Sequence, residues 1–106
     1  GWFAIWKYAR LLVQLGRTDE ALKFLAKNYK KGKESSLMKH EISDFLENLI
    51  QSSTYKLIPI TTYDQIRRIL SEYGFERDNI EDFIKYYRRT HPWFDEPDFA
   101  ILHSST

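Results

Sequence analysis

Three internal glycines, Gly16, Gly32 and Gly74, interrupt a chain whose apolar residues otherwise recur every three to four positions. Glycine enters the left-handed conformation that ends helices without a steric penalty, so these positions cut the sequence into helical segments joined by reversals. The pattern predicts an all-α fold, either a five-helix bundle or a short α-solenoid segment of antiparallel hairpins with an irregular C-terminal tail. At 106 residues the chain fits one domain, residues 1–106, with the tail at 93–106.

The first segment, Trp2 to Leu15, is apolar on nearly every face, broken only by Lys7, Arg10 and Gln14, as expected of a central, sandwiched helix. It enters at once on Trp2, Phe3, Ile5 and Trp6, which reads as a piece of a longer protein whose missing neighbour packs there. Gly16 ends it, Thr18 is placed to cap a second helix over about Asp19 to Lys31, and Gly32 closes that one. A third, from about Ser36 to Gln51, aligns Met38, Ile42, Phe45, Leu46, Leu49 and Ile50 in one stripe. The longest loop, QSSTYKLIPI, follows. Thr62 and Gln65 have the spacing of a capping box for a fourth helix in which Ile66, Ile69, Leu70 and Tyr73 share a face until Gly74. Asp78 and Glu81 repeat that spacing for a fifth, which buries Ile80, Phe83, Ile84 and Tyr87 and ends at His91-Pro92.

The 42% hydrophobic and 29% charged content is that of a folding chain, and sixteen basic against fifteen acidic residues leave no global field to attract nucleic acid or an anionic membrane. The absence of cysteine excludes disulfides, thiolate chemistry and cysteine-based zinc sites. It suits an intracellular location, without separating cytoplasm, nucleus and mitochondrion. No run of about 18 apolar residues exists to span a membrane.

The string HEISD, His40 to Asp44, approximates the zinc-binding H-E-x-x-H helix, but Asp44 stands where the second histidine belongs, so it reads as a solvated polar face. No glycine-flanked nucleophile or phosphate-cradling loop appears. The expectation is therefore no enzyme, no metal, no cofactor and no small-molecule substrate. Two surfaces remain as candidates. Aromatic residues, 16% of the chain, include Trp2, Trp6 and Tyr8 near the start and Trp93, Phe94 and Phe99 in the acidic, proline-broken tail, where rings could anchor a partner. Lys23, Lys27 and Lys30, with Lys31 close behind, form a basic stripe that could track phosphates or merely keep the helix solvated.

The stretch LVQLGRTDEALKFLAKNYKKG resembles the helical-hairpin repeats of the tetratricopeptide and pentatricopeptide families, in which a glycine ends one helix and D-E-A-L opens the next. Gly16 allows the reversal, and Ala21, five residues on, is small enough for close helix approach. TTYDQIRRILSEYGFERDNIEDFIKYY is similar but weaker, with Tyr63 and Gly74 suitably separated and Asn79 in place of the small alanine. The resemblance implies a solenoid that binds peptides or single-stranded RNA, with Gln65 at a base-facing position in the RNA case. The expected function is an interaction or scaffold module that binds a protein partner or self-associates. The alternative is a single-stranded RNA-binding repeat segment using Lys23, Lys27, Lys30, Lys31 and Gln65.

Overall fold

The computed structural model describes residues 1–32, 35–52 and 62–92, and the side chains of all of these except 48–52. It contains five α-helices, α1 (Trp2–Gln14), α2 (Thr18–Lys27), α3 (Ser36–Ser52), α4 (Tyr63–Glu72) and α5 (Arg77–Thr90), with no strand among the described residues. The side chains of Leu49 and Ile50, the part of the expected QSSTYKLIPI loop beyond Ser52 and the tail from Trp93 fall outside what is described.

The two hairpins, α1–α2 and α4–α5, close on the same turn. Gly16 sits at φ +76° and donates its amide to Val13 O, while Arg17 N reaches back to Leu12 O at 2.8 Å. Gly74 sits at φ +95° and donates to Ser71 O, while Phe75 N reaches Leu70 O at 3.1 Å. Only glycine adopts these angles cheaply, and the reaching amides satisfy carbonyls that the helix end would otherwise leave open. At the start of α4 the capping box forms: Thr62 Oγ1 accepts from Gln65 N, and Gln65 Oε1 accepts from Thr62 N at 3.0 Å.

Three local expectations are corrected. Thr18 is the first residue of α2 rather than its cap. Arg17 holds the cap position and pairs with Glu20, so the carboxylates of Asp19 and Glu20 settle the helix start through its dipole. That helix also ends at Lys27 rather than Lys31, where Asn28 turns its Nδ2 onto Phe24 O at 2.9 Å. Gly32 therefore shapes the entry to α3, its carbonyl accepting from Ser35 N, Ser35 Oγ and Lys39 Nζ. In α5, Glu76 holds the cap position without a side-chain bond, and Asp78 lies inside the first turn.

The core gathers Ala9 and Leu12 of α1, Ala21, Leu22 and Leu25 of α2, Met38, Ile42 and Phe45 of α3, the α4 stripe with Phe75, and Ile80, Phe83 and Ile84 of α5. Contacts run in register between alternate helices. Arg10 meets Glu41, and Trp2 shares a cleft with Ser35 and Met38, so α1 and α3 run in the same sense. Lys39 pairs with Asp82, and Asp44 and Glu47 act electrostatically on Tyr86 and Tyr87, so α3 and α5 do too.

The expectation of a sandwiched first helix is also corrected. α1 packs on α2 and α3 through Ala9 and Leu12, but Phe3, Tyr8, Leu11 and Leu15 are exposed.

Candidate functional site

The outward side of α1 is the first candidate. With 3.6 residues per turn, Phe3, Lys7, Leu11 and Gln14 stack along one line, with Ala4, Tyr8 and Leu15 beside it and Trp6 and Arg10 on the other flank. Phe3 is 66% exposed, Leu15 59%, and Tyr8 and Leu11 49% each. The rings hold one another: Phe3 lies 5.9 Å from Trp6, Tyr8 meets Phe24 of α2 edge-on at 4.7 Å, and Lys7 Nζ sits 5.2 Å over the Phe3 ring. No acidic residue occurs in α1. Arg10 is tied to Glu41 at 3.3 Å, and Lys7 lies over the π-face of Phe3, so the face is apolar with a cationic centre.

Of the aromatic residues singled out from the sequence, Trp6 and Tyr8 lie on this face. Trp2 is half-buried and turned inward, packed on the core. Trp93, Phe94 and Phe99 lie outside the described residues. Phe3, Leu11 and Leu15 were missed because an all-round apolar helix suggests burial on every side. The signal was present all the same: Lys7, Arg10 and Gln14, at spacings of three and four, mark one helix face, and in water that is the outer one.

The second candidate is a polar cleft of about 160 Å³ between the Gly32 turn, α3 and α5, lined by Gly32, Lys39, Asp82, Lys85, Tyr86 and Arg89. Its floor is built from buried groups. The Lys39 side chain is 6% exposed, and its ammonium reaches Gly32 O and Asp82 Oδ2, each at 3.0 Å. The same Asp82 oxygen accepts from the Tyr29 hydroxyl at 2.9 Å. Burial, then that hydrogen bond and the Asp82 charge, push the Tyr29 hydroxyl far above its ordinary range. Lys85 and Arg89, one turn apart on α5, form the exposed rim.

The residues read as an RNA-binding set do not converge. Lys23, Lys27 and Lys30 are exposed along and beyond α2, and Lys31 lies 3.7 Å from Asp78. The Gln65 carbonyl oxygen is engaged in the capping box, on a helix that does not pack against α2 among the described residues. In HEISD, His40 faces Asp44 at 3.5 Å while Glu41 turns away to Arg10, so the three side chains do not converge. Across the second hairpin, Arg67 forks onto Glu81 at 2.8 and 3.1 Å, and that hydrogen bonding holds the Glu81 carboxyl below its usual range.

No protein-family model matches the chain, and neither a curated protein nor a solved structure matches it.

Proposed function

We propose that this chain is a non-enzymatic interaction module that seats an acidic amphipathic helix of a partner protein on the outward face of α1. The observation that carries the reading is the combination, on that helix and its C-cap Leu15, of four exposed large apolar side chains with Lys7, Arg10 and no acid. Contiguous exposed apolar surface marks interaction sites, and aromatic anchors supply most of the binding energy at such places. A helix in a groove or against a helical face binds through apolar residues at i, i+4 and i+7, and Glu or Asp at its flanks would answer Lys7 and Arg10. A second copy of this chain is the poorer occupant, because neither α1 face carries an acidic residue to answer the Lys7 ammonium of the other. The same-sense run of α1, α3 and α5 and the shared glycine turn support stacked hairpins, a short α-solenoid, as the scaffold.

Single-stranded RNA has less behind it, since Gln65 and the α2 lysines lie on helices that do not pack together and Asp19 and Glu20 share α2 with the lysines. The discriminating experiment is selection from a displayed library of amphipathic helical peptides randomised in charge. Enrichment of acid-flanked apolar peptides is expected. Leu11→Ser with Leu15→Ser should then weaken the selected peptide about tenfold or more, with helicity unchanged by circular dichroism. Enrichment of basic peptides, or affinity untouched by the double substitution, would refute the reading. Self-association on light scattering that the same substitutions abolish would transfer the face to a second copy.

A further inference from the structure

The cleft floored by Lys39 is separate from the α1 face, and its chemistry points to a different ligand. We propose that it binds a single phosphate group, carried by inorganic phosphate or by a small phosphate monoester, between Lys39, Lys85 and Arg89.

Among the described residues, three cations line the cleft against one carboxylate. That carboxylate, Asp82, would by itself repel an anion, but it already receives the Lys39 ammonium and the Tyr29 hydroxyl, which absorb its charge. The surplus therefore rests on Lys85 and Arg89. Arg10, Arg17 and Arg67 each have a carboxylate partner, whereas Lys85 and Arg89 have none among the described residues. Lys85 and Arg89 stand one turn apart on α5 and both line the cleft, so a dianion there would meet two cations at once.

The floor is preorganised. Lys39 is fixed by two contacts and by burial, so little side-chain freedom is left to lose on binding. It also stands in the first turn of α3, where the positive end of the helix dipole favours negative charge. The cleft has a volume of about 160 Å³ and opens to solvent, so a phosphate group can enter it with its organic substituent left in water.

The test is a nuclear magnetic resonance titration of the 106-residue chain with inorganic phosphate and, in parallel, glycerol 3-phosphate, at ionic strength held constant with sodium chloride. Saturable amide shifts are expected at Gly32, Lys39, Lys85, Tyr86 and Arg89, half-complete at about 1 mM or below. The tighter of the two probes identifies the source of the phosphate. Lys85→Gln with Arg89→Gln should raise Kd about tenfold or more, and both positions are exposed, so the fold is retained. Lys23→Gln with Lys27→Gln removes the same charge elsewhere and should leave Kd within about twofold. Shifts that rise linearly without saturating, or equal weakening by the two double variants, would overturn the site.

Discussion

Tyr29 lies two residues past the end of α2, yet its ring meets Phe75 edge-on at 6.1 Å and its hydroxyl donates to Asp82 on α5. A hydrogen bond onto a partly buried carboxylate is worth about 1.5 kcal/mol, so Tyr29→Phe should lower stability by that amount at neutral pH. The pH dependence has a definite sign. Because the folded hydroxyl titrates above its unfolded value of 10.0, the contribution is complete below that pH and is lost as pH rises past it. Urea unfolding at pH 7 and pH 11 should therefore show the gap between wild type and Tyr29→Phe narrowing at the higher pH, while Tyr86 and Tyr87, also raised, act equally in both proteins. A gap that is constant across that range would show that the folded hydroxyl titrates no higher than the unfolded one. None of this was legible in the sequence. Tyr29 reads as one more inward aromatic on a helix that stops before reaching it, and no periodicity pairs Lys39 with Asp82, because a contact between distant parts of the sequence has no local signature.

The hairpin turns were legible, because the residue type and the backbone angle are linked by sterics. At Gly16 and Gly74 a Cβ would meet nothing within 4 Å, so substitution there is opposed by the backbone conformation alone. Gly16→Ala and Gly74→Ala should each cost about 1–2 kcal/mol, seen as a lowered thermal midpoint without loss of helicity. A neutral result at either position would mean that the turn relaxes to another closure. Gly32 shows the limit of the same logic. Its positive φ was inferable, but the helix it was expected to end had already stopped at Asn28, and the carbonyl it presents to Lys39 depends on α3. Helix starts were harder still. Thr62 and Gln65 formed their box, whereas Asp78 and Glu81, with the same spacing, did not, since Glu81 is taken by Arg67 across the hairpin. A capping pattern is thus decided by competing partners that the local sequence does not contain.

Across the molecule, the helices differ in how much surrounds them. α2 buries Ala21, Leu22 and Leu25 completely between α1 and α3, whereas α4 packs on α5 alone among the described residues. Local opening is easiest where neighbours are fewest. Amide hydrogen exchange should accordingly be slowest in α2 and in α3 around Ile42 and Phe45, and faster in α4, and the reverse order would contradict this arrangement. The all-helical class was readable from the spacing of apolar residues, but which helix would be central was not, because hydrophobicity reports the wish to be covered and not the covering itself. On α1 that wish is unmet at Phe3, Tyr8, Leu11 and Leu15. Greasy surface of this kind is also what chaperones and aggregating chains recognise. If the proposed partner helix covers that face, each unoccupied copy carries a hazard, and the amount of this protein a cell can tolerate is tied to the partner's supply.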